Sequence, residues 1–401
     1  MTNPKLALIP SGYKTATVYS ILPNNTDGDF TYERNGSATR VRKDGLIEEL
    51  TVNDTPRLDW LNSDCPSLLL EPQRTNLQAY SENFSGAAWT PAFSTITANS
   101  SICPNGELTA YKLETTSSVG SLNGFLQITA NTLYTYSLFV KADTTSICKI
   151  ELYDTLSGGA SYYYGLVNFD MSTETISTSL ATASFDKLDG GWYRLKITAT
   201  SPNPLQGGGT GVSISLTQAG SIFIWAGQME AGGYATSYIK NVDDINGVTR
   251  LKDECFNGGD ADLFDITEGT FFVDANNFGT PLNDYSMITI SDTTGSNYIR
   301  FIYESSRIRV SVLGLGDYFI TGVNDNERNK VATTFKENEM KVFFNGSLVH
   351  TDTLGVLPTG LSKLNFSMTN NLSRWFEGKV YDTRVYDRVL TEAEAIQLTT
   401  I

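Results

Sequence analysis

Apolar and polar residues alternate with a period of two through much of this chain, the signature of strands with one buried face. Tyr134, Tyr136, Leu138 and Val140 alternate with Thr135, Ser137 and Phe139, Val212, Ile214 and Leu216 alternate with Ser213 and Ser215, and Tyr193, Leu195 and Ile197 repeat the pattern. Glycine runs at Gly158-Gly159, Gly190-Gly191 and Gly207-Gly208-Gly209 separate these strands at spacings that suit a jelly roll. From Glu268 a second series begins: Phe271 and Val273, then Ile299, Phe301 and Tyr303, then Ile308, Val310 and Val312, then Met340, Val342 and Phe344. Asn345-Gly346 follows directly and predicts a two-residue hairpin, because both turn positions of type I′ need positive φ. One helix start stands out, Thr391 to Ile396, where Thr391 caps the amide three residues on and Glu394 reaches back to Thr391.

These patterns predict an all-β protein: two antiparallel jelly-roll-type β-sandwiches in tandem behind an extended, turn-rich N-terminal segment. Residues 1–76 carry Asn24-Asn25, Asp27-Gly28 and Asn35-Gly36 between short β-like pieces such as Ala16 to Ile21. Such a segment is poor material for a core of its own, so it is expected to drape over a neighbouring domain or partner chain and to serve attachment. The expected first sandwich occupies 77–240. A connector follows at 241–267, where Asp243, Asp244, Gly247, Gly258 and Gly259 interrupt any apolar pattern, and the second sandwich fills 268–401.

Composition narrows the classes of function. The chain has 401 residues, 40% hydrophobic and 18% charged, enough apolar material for more than one core and too little charge for a disordered tail. A formal net charge of −15 opposes binding to nucleic acid, which draws affinity from Lys and Arg on phosphates, and opposes anionic membrane surfaces for the same reason. No stretch approaches the roughly 18 apolar residues of a spanning helix. The opening residues lack a charged region followed by an apolar one, so synthesis in a cytoplasm without a secretion signal is expected. Cys65, Cys103, Cys148 and Cys255 lie far apart, unlike the CxxC pairs of zinc sites, and read as reduced core residues, with a Cys103–Cys148 bridge as the alternative.

A resemblance adds to this. Ser37-Ala38-Thr39-Arg40-Val41, Gly45-Leu46-Ile47-Glu48, Pro56-Arg57-Leu58-Asp59 and Leu68-Leu69-Leu70-Glu71-Pro72-Gln73-Arg74-Thr75-Asn76 resemble a recurring module of tailed-phage fibre and structural proteins. The likeness continues through Tyr80-Ser81-Glu82-Asn83-Phe84, Gly191-Trp192-Tyr193-Arg194 and Trp225-Ala226-Gly227-Gln228-Met229-Glu230, covering roughly residues 30 to 250. It implies a carbohydrate-binding-module-like sandwich in a head fibre, tail fibre or tail spike. From about residue 268, Phe343-Phe344-Asn345-Gly346 and the run from Phe376 to Thr391 resemble the laminin-G and concanavalin-like lectin sandwich. Tyr381 before Asp382, and Thr383 at an apolar position, depart from that pattern, so no metal or sugar site is carried over. The implied protein is a virion component, made in the host cytoplasm, that contacts other virion proteins through its N-terminal segment. It is expected to assemble as a homo-oligomer.

The candidate chemistry is binding. His350 is the single histidine, in an alternating strand with no nucleophile elbow near it, and reads as an edge-strand residue. With 44 acidic residues, some carboxylate pair always meets the spacing for glycoside hydrolysis, and none stands in a recognisable motif, so no catalytic residue and no enzymatic activity is expected. Asn324-Asp325-Asn326-Glu327 offers hard oxygens but lacks the glycine and spaced acids of a calcium loop; no metal and no cofactor is expected. Sugar rings stack on exposed aromatic rings while their hydroxyls pair with amides and acids. Tyr162, Tyr163 and Tyr164 meet the first need, since consecutive strand residues point to opposite faces, and Trp375 beside Asn371 is the second candidate. The expected function is a fibre or decoration protein presenting sandwiches for adhesion to host-surface polysaccharide. A purely structural spacer and a polysaccharide depolymerase are the alternatives.

Overall fold

The computed structural model describes residues 3–118, 120–157, 159–264, 267–279, 285–353, 355–368 and 373–401. Strands dominate, as the period-two pattern requires. Helical segments among the described residues are confined to Asp189–Gly191, Ala261–Phe264 and Glu392–Thr399, and no helix is long and apolar enough to cross a membrane. The chain folds into two units, one built from residues 38–49 and 73–250, the other from 1–37, 50–72 and 251–401.

In the unit of residues 38–49 and 73–250, two six-stranded antiparallel sheets face each other. One runs in the order Trp89–Ala92, Ser121–Leu126, Gly207–Ser215, Ile147–Leu156, Ser161–Asp170, Thr175–Ser179; the other runs Ser94–Ser101, Ala110–Thr115, Gly220–Ala231, Leu133–Ala142, Trp192–Thr200, Thr182–Leu188. Their inner faces interdigitate Leu122, Cys148, Ile150, Leu152, Val212 and Ile214 with Tyr136, Leu138, Val140, Leu195, Ile197 and Ile224. The outer face of the second sheet is also covered, because Phe139, Trp192 and Trp225 pack with Ile47, Cys103 and Tyr238 in a smaller apolar cluster. Asn76 ties this side together: its amide donates to the carbonyls of Ile239 (2.7 Å) and Gly227 (3.3 Å), and its carbonyl accepts from the Gln78 and Met229 amides.

The other unit is also a sandwich. Its larger sheet orders Ser347–Asp352, Glu339–Phe344, Arg328–Lys336, Glu268–Asn277, Gly378–Tyr386, Ser67–Leu70 and Leu58–Asp59, with Leu6–Leu8 pairing on Gly378–Tyr386. The facing five-stranded sheet orders Gly316–Thr321, Arg307–Val312, Tyr298–Glu304, Tyr285–Ser291 and Lys363–Asn365. Phe271 of the first and Phe301 of the second stack at 4.6 Å with rings 6° from parallel, in a core shared with Val273, Ile288, Ile299, Val310 and Val342. Helix Glu392–Thr399 covers Phe272, Ala332, Phe343 and Tyr386 on the far face of the larger sheet. Thr391 caps it: the Glu394 amide donates to Thr391 Oγ1 at 3.3 Å while the Glu394 carboxylate accepts from the Thr391 amide at 2.9 Å. Asn345 and Gly346 take φ of 44° and 81° in the expected two-residue hairpin.

The first 76 residues supply strands to both units rather than lying apart from them. Leu6, Leu8, Leu58, Leu68 and Leu70 are buried in the core beneath the larger sheet, and Arg74–Asn76 pairs with Val248–Arg250 in the other unit. Arg57, Asp59 and Glu71, among the residues that carry the fibre-module resemblance, are structural here. Arg57 is fully buried and ion-paired to Glu71 at 2.6 Å and to Asp253, while Arg34 reaches Asp253 at 3.2 Å and Tyr32 donates its hydroxyl to the same carboxylate. Burial opposes the charge on Arg57, but Asp253 and Glu71 outweigh it and raise its pKa. Asp59 pairs with Lys379 at 2.7 Å.

Candidate functional site

One sandwich face carries the sugar-binding ingredients together: the outer face of the sheet containing Gly207–Ser215. Inward positions on its strands are fixed by the core residues Leu122, Val212, Ile214, Cys148, Ile150 and Leu152, so their neighbours point outward. Strand register then aligns the outward residues in rows. Phe125 lies opposite Gly211, Gly211 opposite Tyr153, and Tyr153 opposite Tyr163. Asn123 lies opposite Ser213, and Ser213 opposite Glu151, while Ser121, Ser215, Lys149 and Asn168 form the next row.

The first row is an aromatic platform. Phe125 is 49% and Tyr163 44% exposed, and Tyr153 sits half-buried between them with its ring centroid 6.5 Å from that of Tyr163. Gly211 makes room for Tyr153, since a Cβ there would lie 2.5 Å from the Tyr153 hydroxyl. At strand spacings of about 4.8 Å, Phe125 to Tyr163 spans roughly 14 Å, the reach of a short oligosaccharide rather than a monosaccharide. On this side of the central strand Tyr153 lies over Gly211, and Ser213 and Ser215 are buried beneath their neighbours. Beside the platform, Lys149 Nζ and Glu151 Oε1 are paired at 2.7 Å, and the Asn123 amide donates to Ser121 Oγ at 3.2 Å. Burial and the neighbouring Tyr163 raise the Tyr153 pKa, so its hydroxyl stays a neutral donor at physiological pH.

A β-bulge sets the tyrosine run. Leu152 pairs with Gly165 and Tyr153 with Tyr163, which leaves Tyr164 as the extra residue. Tyr162 and Tyr163 reach solvent, whereas Tyr164 is buried in the core and cannot stack on a ligand from outside; it is removed from the candidate set. Trp375 is half-buried, with Phe256 edge-on at 5.9 Å and the Lys252 ammonium 4.9 Å from its ring centroid, so this ring is already in use. Asn371 lies outside the described residues. Sequence reading missed Phe125, Tyr153, Lys149 and Glu151. The usable signal was the strand Cys148 to Tyr153, whose period of two puts Lys149, Glu151 and Tyr153 on one face opposite three core residues.

Other candidates resolve as structure. His350 stacks on Tyr318 at 4.3 Å on the edge strand Ser347–Asp352. In the loop 324–327, the Asn324 amide donates to Glu327 at 3.1 Å, and among the described residues no three His, Cys, Asp or Glu side chains gather as a metal site. The four cysteines are unlinked; Cys103, Cys148 and Cys255 are buried, but Cys65 is exposed, a correction to its expected place in a core. It falls in the turn-rich stretch before Ser67–Leu70, where no strand pattern could hold it inward.

Comparison with known proteins bears on the fold. Residues 270–396 match the family model of the concanavalin A-like lectin/glucanases superfamily. No curated protein matches the chain. Among solved structures, the chain is similar to the CBM40 of Ruminococcus gnavus IT-sialidase bound to α2,3-sialyllactose, at 18% identity and a TM-score of 0.29, over 35% of this chain and 86% of that one. It is also similar to domain 4 of AbnA, a GH43 extracellular arabinanase from Geobacillus stearothermophilus in complex with arabinotriose, at 14% identity and a TM-score of 0.29, over 42% of this chain and 84% of that one.

Proposed function

We propose that this chain is a non-enzymatic glycan-binding protein of a virus particle, a fibre or decoration subunit of a tailed phage. The observation that carries the binding half is the row Phe125, Gly211, Tyr153, Tyr163, with exposed rings at both ends, beside the polar row of half-buried Asn123 and the buried Ser213 and Glu151 on the outer side of one sheet. Aromatic rings offer the flat apolar surface that sugar rings need, and the adjoining amide, hydroxyl and carboxylate groups suit sugar hydroxyls. The match of residues 270–396 to a lectin-containing superfamily supports the same class for the second sandwich. The particle half rests on the resemblance of residues 30 to 250 to fibre modules. In this reading the N-terminal residues contact other virion proteins, the chain forms a homo-oligomer, and several weak sites act together on a host-surface polysaccharide.

A glycan array of bacterial polysaccharides tests the binding half. Tyr163→Ala and Phe125→Ala each lower affinity about three- to tenfold, the size of one aromatic contact, while Trp375→Ala leaves it unchanged. Equal binding by wild type and a Phe125→Ala/Tyr163→Ala variant, both folded by circular dichroism, would remove the platform from the account. Product sizing after incubation with the bound polysaccharide tests the non-enzymatic part; shortened chains would contradict it.

A further inference from the structure

The outer face of the five-stranded sheet in the other unit holds a guanidinium, that of Arg300, that forms no ion pair of its own although Asp317 lies in the same row. Ile288, Ile290, Ile299, Phe301 and Val310 face the core, so the residues between them point out, and register lines up Thr289, Arg300, Ser311 and Asp317 across four strands. Three arginines stand on this face. Arg307 pairs with Glu304, and Arg309 pairs with Glu304 at 3.1 Å and Asp317 at 3.6 Å. The Arg300 side chain makes no ion pair or hydrogen bond among the described residues; its guanidinium carbon lies 3.7 Å from the centroid of the Tyr298 ring. Of these three guanidiniums, Arg307 and Arg309 engage both carboxylates, Glu304 and Asp317, and Arg300 pairs with neither.

The surroundings show that this is more than an arginine loose in solvent. Arg300 is half-buried, and burial, reinforced by the neighbouring Arg309, lowers its pKa, with Tyr298, Asp317 and Tyr285 acting the other way. Thr289, next to it in register, is buried at 3% exposure, and its hydroxyl has no partner. A cation partly stripped of water and a buried, unbonded hydroxyl both cost free energy unless something completes them. Contact with the Tyr298 ring at 3.7 Å restrains the guanidinium, whose Nε is buried without a partner, so its two terminal nitrogens are the donors left to receive a carboxylate by two parallel hydrogen bonds.

We propose that Arg300, held against the Tyr298 ring beside Thr289, binds the carboxylate of an acidic sugar, making a second saccharide site separate from the aromatic row of the other unit. The glycan class is therefore one that carries uronic or sialic acid residues. A chain this acidic repels a polyanion at long range, so recognition must come from short-range contacts at Arg300 rather than from a basic surface.

The test uses the full chain and a panel of oligogalacturonate, a hyaluronan oligosaccharide and sialyllactose, each paired with its carboxyl methyl ester, in titration calorimetry. At least one free acid binds about tenfold more tightly than its neutral ester, the scale of a charge-assisted bidentate contact. Arg300→Gln erases that difference, Arg300→Lys restores only part of it, and Phe125→Ala/Tyr163→Ala leaves it intact, so failure of one site is distinguishable from failure of the other. Equal affinity for acid and ester across the panel, or an acid preference that survives Arg300→Gln, overturns the proposal. Arg300-dependent binding of a sulfated oligosaccharide or an acidic peptide in place of the carboxylated sugars overturns the assignment of ligand.

Discussion

Replacing Arg57 by methionine removes one guanidinium from a group of charges shut off from water. Arg57 and Arg34 balance Asp253 and Glu71, two positive charges against two negative, with all four side chains at most 3% exposed. Asp253 has other support, from Arg34 at 3.2 Å, the Tyr32 hydroxyl and the Glu71 amide at 2.8 Å. Glu71 is ion-paired to Arg57 at 2.6 Å, so methionine takes this counter-charge from a buried carboxylate. Such a loss costs about 3–5 kcal/mol, well above the cost of the volume change alone. The measurement is urea unfolding read by hydrogen exchange in peptides from Gly378–Tyr386, which report on this unit alone. Arg57→Met should expose those amides at markedly lower urea, and Arg57→Met/Glu71→Gln, which removes the stranded charge, should recover most of the loss. A single variant within about 1 kcal/mol of wild type, or no recovery in the double variant, would refute the reasoning.

Glu394 gives a pH test. Its carboxylate is held down to a pKa of about 2 by hydrogen bonds from Arg388 and from the Thr391 amide, so it contributes stability above the ordinary value of 4.5 that is lost as pH falls toward 2. Thermal unfolding between pH 5 and 2.5 should lose more in wild type than in Glu394→Gln; parallel curves would contradict the cap. Phe271→Ala removes half of the stacked pair that joins the two sheets and should cost about 3–5 kcal/mol, against which a midpoint shift in urea can be checked. A thiol reagent at pH 8 should label Cys65 rapidly in the native protein and leave Cys148 unreacted, since burial pushes that thiol up to about 12; rapid labelling of all four would mean the cores are open.

Much of the architecture was legible where strands are long and one face is buried. The runs Tyr134 to Val140 and Ile299 to Tyr303 form strands as their alternation predicts, although every residue from Tyr134 to Val140 is buried because the outer face is covered too, and the hairpin at Asn345-Gly346 and the cap at Thr391 depend only on neighbours within a few residues. The N-terminal strands were not legible as parts of the sandwiches. Leu6–Leu8 is three residues long and pairs with Thr383 to Val385, so neither period nor proximity reveals its partner. The ion cluster was hidden for the same reason, since Arg57 and Asp253 are 196 residues apart.

The candidate site fell between these cases. The tyrosine run was visible, but which ring faces solvent depends on the bulge at Tyr164, and a one-residue shift exchanges faces. Phe125, Gly211 and Tyr153 come from three strands far apart in sequence and form a row only through register. Arg300 looked like an ordinary strand residue until its neighbours' acids were seen to be engaged with Arg307 and Arg309.

The most direct test of the account is the location of a bound oligosaccharide, taken from the tightest binder on a polysaccharide array and determined by crystallography with the full chain. The account predicts sugar rings lying along Phe125, Tyr153 and Tyr163, with hydroxyls toward Glu151 and Asn123. A ligand seated elsewhere with that face bare, or an array on which nothing binds, would contradict it.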